Sequence, residues 1–201
     1  MTDYPIIMTA ESVLAILDGR KSQTRRVIRS LPSETCWEQQ FAFEGPDGPS
    51  MKAWIAACPY GAVGDRLYVR ESLRCHNTTE PPTATYVADA SPVVGHGAPE
   101  SYCGRAVWRW PKSRLLTARY MPRWASRLTL EVTNVRVERV GAITESDAAA
   151  EGYCTTWAQF PMTNREAFAR LWDSLNKRRG YPWASSPWVW AITFQRVEGV
   201  G

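Results

Sequence analysis

Three side chains of complementary chemistry stand out in this sequence: the amine of Lys21, the hydroxyl of Thr24 and the carboxylate of Glu151. Lys21 and Thr24 lie within the basic segment of residues 19–26, and Glu151 follows an alanine run far downstream. An amine, a hydroxyl and a carboxylate can together supply a base, a nucleophile and a proton donor. The guanidinium groups of the basic segment add donors that could hold a ligand, so the set is a candidate reactive site.

The first two of these residues follow a predicted helix. Thr9 can cap its start, apolar residues recur at helical spacing over residues 13–17, and Gly19 is suited to end it. Lys21 then lies on a turn before a strand predicted over residues 24–29. Because alternate residues of a strand share a face, the odd-numbered side chains from 23 to 27 should point one way and the even-numbered ones from 24 to 28 the other.

Glu151 lies in the last turn of a second predicted helix, which Thr144 can cap and Gly152 can end. A carboxylate at the negative end of a helix costs about 0.3–1 kcal/mol, so helix stability does not explain its position. Each of the three residues also has an ordinary interpretation. Glu151 could be solvated, Lys21 could be a surface lysine whose ion pair contributes at most about 1 kcal/mol, and Thr24 could be a strand former.

The remaining patterns alternate between strands and helices. Strands are predicted over residues 66–71, 83–88, 127–140 and 188–197, and a third helix over residues 164–178. The 127–140 strand shifts phase at Asn134, which suggests the bend by which a sheet curls into a barrel. Residues 30–60, 75–82 and 89–105 look irregular. We therefore predict an α+β fold, with a small β-barrel flanked by short helices.

Length and composition fit one domain over residues 1–201. Apolar residues make up 44% of the chain and charged residues 22%, which is typical of a folded, soluble protein. No apolar run approaches the roughly 20 residues that cross a bilayer, and the N-terminus lacks the pattern of a secretory signal. We therefore expect a cytoplasmic protein without a membrane partner, and the sequence indicates no particular protein partner.

The five cysteines are widely spaced and include no C-x-x-C pair: Cys36, Cys58, Cys75, Cys103 and Cys154. This pattern predicts neither a disulfide framework nor a zinc site. The two histidines, His76 and His96, lie in stretches that look like loops. We expect neither a metal nor a cofactor.

Arginine accounts for 20 of the 24 basic residues, and the net charge is +4. The planar fork of arginine pairs with phosphates and stacks on bases, which fits a nucleic-acid or nucleotide ligand. Codon bias in a GC-rich genome would give the same excess. Of the ten tryptophans, most are expected in the core, and one or two could stack on a base.

Several segments together resemble the ASCH domain family. They are the motif of residues 19–26 after a short helix, Gly64-Asp65-Arg66-Leu67 before a strand, the bent strand of residues 127–140, the helix of residues 147–152 and Trp190-Ala191-Ile192-Thr193-Phe194. The resemblance extends from residue 7 to residue 194, with insertions at about 30–60 and 89–124. Residues 121–127 and the opening Pro-Ile-x-Met resemble the phage and prophage branch of the family. The resemblance implies a PUA-like barrel, the fold of many RNA-modification proteins.

Some small ASCH proteins are amidohydrolases that remove the acetyl group from N4-acetylcytidine by means of a Lys, a Thr and a Glu. The resemblance implies these roles for Lys21, Thr24 and Glu151. Thr24 would supply the attacking hydroxyl or hold the attacking water, Lys21 would take the proton, and Glu151 would orient Lys21 and pass a proton to N4. The expected substrate-binding residues are Arg26, which could polarise the carbonyl, and Arg25, Arg70 and Glu71.

Two other functions stay open. A non-catalytic module could bind RNA, or a modified base in DNA, with RNA the favoured partner, and its phosphate contacts would be Lys21, Arg25, Arg26 and Arg70. Steep salt dependence would mark such a module, whereas hydrolysis of a free nucleoside would depend little on salt. A nuclease ranks last, since the sequence has few carboxylate clusters and only two histidines.

Overall fold

A computed structural model of the chain describes residues 1–29, 49–76, 83–94, 101–102, 105–106, 114–152 and 162–197. Contacts between Cα atoms group the chain into two compact units. Unit 1 comprises residues 1–18, 66–131 and 196–201, and unit 2 comprises residues 19–65 and 132–195. The single domain over residues 1–201 stays a prediction.

Four α-helices and ten strands occur within the described ranges. The helices are α1 (Ala10–Leu17), α2 (Pro49–Ala56), α3 (Glu145–Ala150) and α4 (Asn164–Asn176). The strands are β1 (Asp3–Ile7), β2 (Gln23–Val27), β3 (Arg66–Arg70), β4 (Leu73–His76), β5 (Thr83–Tyr86), β6 (Ser101–Tyr102), β7 (Arg105–Ala106), β8 (Leu115–Leu116), β9 (Thr129–Arg139) and β10 (Trp188–Val197). None of these helices is long and apolar enough to cross a membrane.

The largest sheet has the strand order β1-β3-β9-β10-β2, and a second sheet has the order β5-β4-β8. β1 runs parallel to β3, whereas β3 with β9 and β10 with β2 are antiparallel pairs. This mixed sheet with a few short helices confirms the predicted α+β class. Among the described strands no pairing joins β1 to β2, so closure into a barrel stays a prediction.

In unit 2, helices α3 and α4 pack against one face of β2 and β10. The core between them consists of Val140, Ile143, Ala148, Phe168, Trp172 and Val189, with Val27 and Trp183 packed against it. Burial of a side chain such as Val189 or Phe168 contributes about 1.5–3 kcal/mol. Because Val27 packs against this core, its side of β2 is the face that meets the helices. Gln23 and Arg25 point to the same face, as the alternation of the strand predicts.

Helix α4 is fixed at both ends. Thr163 accepts a hydrogen bond from the N–H of Glu166 at 3.2 Å, and the carboxylate of Glu166 accepts one from the N–H of Thr163 at 2.9 Å. This reciprocal pair is a capping box. At the other end the chain continues as the 3-10 helix Lys177–Arg179 and stops at Gly180, whose φ of 90° lies in the left-handed region. The predicted helix over residues 164–178 is confirmed to within two residues.

Unit 1 has its own core next to the β5-β4-β8 sheet. It consists of Leu73, Ala84, Tyr86, Val93, Met121 and Ala125, with Leu116 and Trp124 packed against it. The hydroxyl of Tyr86 donates to the carbonyl of Ala125 at 2.8 Å, which satisfies a polar group inside this cluster. Met121 belongs to the second predicted insertion, at about residues 89–124. Part of that insertion is therefore buried in the core of unit 1.

Three predictions of irregular structure were wrong in part. Within residues 89–105, Ser101–Tyr102 and Arg105 lie in the paired strands β6 and β7. Cys75 lies in β4 rather than in a loop, because β4 pairs with both β5 and β8. Pro49–Ala56 is helical, since a proline in the first turn of a helix lacks only an N–H that has no partner there. Residues 30–48, 77–82 and 95–100 lie outside the described part of the chain.

The long strand β9 shows the predicted change of phase. Leu130 and Val132 are buried, Thr133 and Asn134 are exposed, and Val135 is buried again. β10 has the predicted bounds, whereas β2, β3 and β5 end one or two residues before their predicted ends. Differences of this size are usual at the ends of elements.

Candidate functional site

Glu151 is the C-terminal cap of α3, one residue beyond the end of the helix. Thr144 caps the start of α3, because its side chain accepts a hydrogen bond from the N–H of Asp147 at 3.1 Å. The backbone of Glu151 pairs with that of Lys21 in an isolated antiparallel bridge. Ser22 then donates its N–H to the carbonyl of the residue before Glu151 at 2.9 Å. These bonds attach the end of α3 to the segment that leads into β2.

The side chains of Lys21 and Glu151 form a buried ion pair. The Nζ of Lys21 donates to Oε2 of Glu151 at 2.7 Å and to the backbone carbonyl of Glu151 at 2.9 Å. Each side chain is only 4% exposed. The structure thus brings together two of the three residues singled out in the sequence, although 130 positions separate them.

Burial lowers the pKa of Lys21 below its ordinary value of 10.5, because a charged amine loses its hydration in the interior. The carboxylate of Glu151 opposes this shift, whereas the guanidinium charges of Arg26 and Arg25 reinforce it. Burial is the larger influence, so Lys21 holds its proton less tightly than a surface lysine. A lysine of this kind can act as a base.

Arg25 binds the other oxygen of Glu151, and its side chain is fully buried. Its Nη1 donates to Oε1 of Glu151 at 3.2 Å and to Oε1 of Gln23 at 2.6 Å. Its Nη2 donates to Oδ2 of Asp147 at 3.0 Å, and its Nε donates to Oε1 of Glu138 at 2.9 Å. The guanidinium of Arg25 therefore binds three carboxylates: that of Glu138 in β9, that of Asp147 in α3 and that of Glu151, which caps α3.

Two further contacts extend this network. Arg136 donates to Oδ2 of Asp147 at 2.9 Å, and its side chain is 39% exposed. The guanidinium of Arg25 lies 5.9 Å from the centroid of the Phe168 ring, so the apolar core of unit 2 contacts it directly. Glu151 is fixed by an amine on one oxygen and by a guanidinium on the other, which orients the carboxylate for proton transfer.

Thr24 lies on the opposite face of β2 from Arg25 and pairs with Ile192 of β10. The residue is 5% exposed, and no group among the described residues hydrogen-bonds to its hydroxyl. The hydroxyl is therefore not committed to a partner in this part of the chain. The role of Thr24 as nucleophile stays a prediction.

Arg26 shares the Thr24 face of β2 and pairs with Trp190. Its guanidinium lies 5.9 Å from the centroid of the Tyr60 ring. Burial lowers the pKa of Arg26, while the charges of Tyr60 and Glu151 oppose that shift. The role of Arg26 in binding a ligand stays a prediction.

The other two predicted ligand contacts belong to unit 1. The carboxylate of Glu71 accepts hydrogen bonds from Nε and Nη2 of Arg127 at 2.8 and 3.0 Å. Burial raises the pKa of Glu71, and Arg127 opposes this shift. Arg70 donates to the backbone carbonyl of Arg119. The structure gives both residues partners within unit 1, and their role in binding stays a prediction.

Asp147 and Glu138 are parts of the network that the sequence analysis did not single out. A signal for Asp147 was present, since Asp147 and Glu151 lie four residues apart on one helix. Like charges at this spacing repel each other, so a buried cation between them could have been expected. Glu138 has no such signal, because its partner Arg25 is distant in sequence.

The described residues contain no group of three or more His, Cys, Asp or Glu side chains that could hold a metal ion. The carboxylates of this site are instead occupied by Lys21, Arg25 and Arg136.

No protein-family model matches the sequence, and no curated protein matches it. Among solved structures, the chain is similar to an ASCH domain from Lactobacillus crispatus JV V101, with 13% sequence identity and a TM-score of 0.40 over 97% of this chain and 79% of that one. It is also similar to a protein from Enterococcus faecalis V583 described by the family model DUF984, with 12% identity and a TM-score of 0.39 over 98% of this chain and 76% of that one.

Proposed function

We propose that this protein is an amide hydrolase that removes the acyl group from N4-acetylcytidine or a related N4-acylated cytosine nucleoside. The observation that carries the proposal is the buried contact of 2.7 Å between Lys21 and Glu151. These two residues and Thr24 occupy the positions that the ASCH resemblance assigns to catalysis. A buried lysine with a lowered pKa next to an oriented carboxylate is suited to acid–base chemistry.

The hydrogen bond between Lys21 and Glu151 allows a proton to move from Nζ to Oε2. This transfer leaves Lys21 neutral, as a base, and Glu151 protonated, as an acid. In the proposed reaction the hydroxyl of Thr24, or a water that it holds, attacks the acyl carbon while Lys21 takes the proton. Arg26 stabilises the oxyanion of the tetrahedral intermediate. Glu151 then gives its proton to N4 as the carbon–nitrogen bond breaks, and cytidine leaves. If water was the nucleophile, the acyl group leaves as the free carboxylic acid. If Thr24 was the nucleophile, a water hydrolyses the acyl ester on Thr24, with Lys21 taking the proton of the water and Glu151 returning one to Oγ of Thr24.

The choice between hydrolase and binding module can be tested with purified protein and a panel of N4-acylated cytidines. We expect stoichiometric conversion of N4-acetylcytidine to cytidine and acetate, and chromatography measures both products. The rate of conversion should depend little on the salt concentration. Parallel gel-shift titrations with unmodified RNA and DNA at two salt concentrations serve as the comparison. If the acylated nucleosides survive while a polymer binds, the protein is a binding module rather than a hydrolase.

The structure weakens one argument for the binding module. Its predicted phosphate contacts include Lys21 and Arg25, and both side chains are buried and paired with carboxylates. A phosphate would have to displace these carboxylates, which would leave them buried without partners. Phosphate contacts in such a module would therefore have to come from other residues.

The pH dependence of the reaction provides a second test. The reaction needs the one proton that Lys21 and Glu151 share, so kcat/KM should fall at high pH as Lys21 loses this proton to solvent, with a midpoint below 10.5. Glu151 raises the pKa of Lys21, so Glu151→Gln should move this midpoint to lower pH and also reduce the maximal rate. Full pH–rate profiles of the wild type and the variant measure both effects.

Glu138→Gln provides the matched control for this profile. Glu138 accepts a hydrogen bond from Arg25, whereas no contact joins it to Lys21 among the described residues. Its replacement should therefore leave the midpoint near that of the wild type. A midpoint that stays in place in Glu151→Gln would exclude Lys21 as the titrating base.

A further inference from the structure

Gln23 is a buried polar side chain with no part in the proposed reaction. It is 3% exposed, begins β2 and lies on the same face of the strand as Arg25. Its Nε2 donates to Oγ1 of Thr193 at 3.1 Å, and Thr193 is the residue of β10 with which it pairs. Its Oε1 accepts a hydrogen bond from Nη1 of Arg25 at 2.6 Å. Both ends of the amide therefore have partners, as a buried amide requires.

These contacts fix the orientation of the amide and of the guanidinium beside it. A guanidinium only donates hydrogen bonds, so the amide oxygen faces Arg25 and the amide nitrogen faces Thr193. Nε2 of Gln23 also lies 3.4 Å from Oδ1 of Asp147, whose Oδ2 accepts from Nη2 of Arg25 at 3.0 Å. The two Nη atoms of Arg25 are thus held by neighbouring groups, Nη1 by Gln23 and Nη2 by Asp147.

The nitrogen that Gln23 holds is also the one that binds Glu151. Nη1 of Arg25 donates to Oε1 of Glu151 at 3.2 Å, while Oε2 of Glu151 accepts from Nζ of Lys21 at 2.7 Å. An Nη atom carries two hydrogens in the plane of the guanidinium. When one of them points at Gln23, the direction of the other is fixed, and it points at Glu151. Three hydrogen bonds therefore lead from Gln23 to Lys21 through side chains that are all buried.

We propose that Gln23 is a positioning residue for the proton transfer: it aims Nη1 of Arg25 at Oε1 of Glu151. The other oxygen, Oε2, is thereby turned towards Lys21, with which it exchanges the proton. This inference deepens the proposed function and rests on it for the reaction. The residue type suits the role, since a neutral amide accepts from Arg25 without adding a charge. A glutamate at this position would compete with Glu151 for Nη1 and would repel Asp147.

Two variants of Gln23 test this role through the rate. Q23M has a side chain of similar length without the amide, and Q23E keeps the shape but adds a charge. We expect kcat for N4-acetylcytidine to fall about 10-fold in both, because a small misplacement of a catalytic group slows the reaction, whereas KM should stay near the wild-type value. Q195M and Q195E make the same changes at an exposed glutamine of β10 and should keep the wild-type kcat. A rise in KM at constant kcat would overturn the proposal.

The titration of Lys21 provides a readout that needs no turnover. The chain has four lysines, so the Cε signal of Lys21 in isotope-labelled protein can be assigned by nuclear magnetic resonance from its absence in Lys21→Met. Burial lowers the pKa of Lys21; among the charged groups that act on it, Glu151 raises this pKa, and Arg26 and Arg25 lower it further.

Q23M leaves the charge of the site unchanged, so a shift of the Lys21 midpoint in this variant reports a movement of the surrounding groups. When the guanidinium of Arg25 is no longer aimed at Glu151, the carboxylate acts more strongly on Lys21. The midpoint should therefore move to higher pH in Q23M, and further in Q23E, which adds a negative charge. A fall in kcat without a shift of the midpoint would mean that Gln23 does not act through the buried pair.

The two proposals fail in different ways. If no acylated substrate is turned over but the Lys21 midpoint moves in Q23M and not in Q195M, the hydrolase is excluded and the positioning of the buried pair stands. If the acylated nucleoside is hydrolysed and Q23M keeps the wild-type kcat or midpoint, Gln23 is not a positioning residue and the hydrolase stands. If neither turnover nor a shift is observed, both are excluded.

Discussion

Replacement of Lys21 by Met is expected to lower kcat for hydrolysis of N4-acetylcytidine by about 10³-fold or more. General acid–base catalysis contributes roughly 10²–10⁴-fold, and Met has no group that accepts a proton. The Lys21 amine lies 2.7 Å from Glu151, so its loss also removes the partner from which Glu151 would receive its proton. Steady-state kinetics with saturating substrate measure the effect.

The fold should survive this substitution. Met fills most of the volume of the lysine side chain, and Arg25 still binds the carboxylate of Glu151. Lys52→Met is the matched control, because Lys52 is exposed and the change in charge is the same. The control should retain full activity, and circular dichroism should show the same secondary structure in both variants. Wild-type kcat in Lys21→Met would remove Lys21 from the mechanism.

Replacement of Arg25 by Met is expected to destabilise the protein by about 3–5 kcal/mol, the usual cost of removing one partner from a buried charge cluster. The Arg25 side chain is fully buried and binds Glu138, Asp147 and Glu151. Without it, these carboxylates would be left close together in an interior that hydrates them poorly. Urea unfolding measures the loss, which corresponds to a fall in Tm of about 6–20 °C for a chain of this size.

Arg136→Met is the control for this variant. It shows whether the loss of stability is specific to Arg25 or follows from removing any arginine near these carboxylates. Arg136 binds Asp147 and approaches Glu138, yet its side chain is 39% exposed. Water can replace its contacts, so the expected loss is at most about 1 kcal/mol. Equal losses in the two variants would mean that Arg25 does not hold the cluster together.

The elements that carry the site could be predicted from local signals in the sequence. Thr9 and Thr144 both cap their helices through side-chain hydrogen bonds. Gly19 has a φ of 72°, in the left-handed region that other residues adopt at a cost, and it follows α1 as predicted. Such signals involve residues within one or two turns of each other, so they do not depend on the rest of the fold.

The use of Arg25 could not be predicted in this way. Strand alternation places Arg25 on the same face as Val27, a face that the structure shows to be buried under α3 and α4. The sequence does not indicate which groups meet it there, because Glu138 and Asp147 reach it only through the packing of β9 and α3. The sequence alone therefore favours a ligand contact for Arg25, the role that exposed arginines usually have.

Helix α2 was missed for a different reason. Pro49 follows a glycine and an aspartate, a combination that is typical of turns. The same proline is also compatible with the first turn of a helix, and the structure shows this second use. Proline is common both in turns and in the first turn of a helix, so Pro49 alone does not distinguish a turn from a helix. The neighbouring core does, and here it includes Trp54, Ile55 and Trp188.

The separation of 130 positions between Lys21 and Glu151 has a consequence for biosynthesis. Domains acquire structure as the chain leaves the ribosome, from the N-terminus onward. Lys21 emerges before its acidic partner and before strand β10, which pairs with β2. The proposed Lys21–Glu151 pair can therefore form only after residue 151 has been synthesised, and prematurely terminated chains that lack Glu151 would carry the lysine without its function.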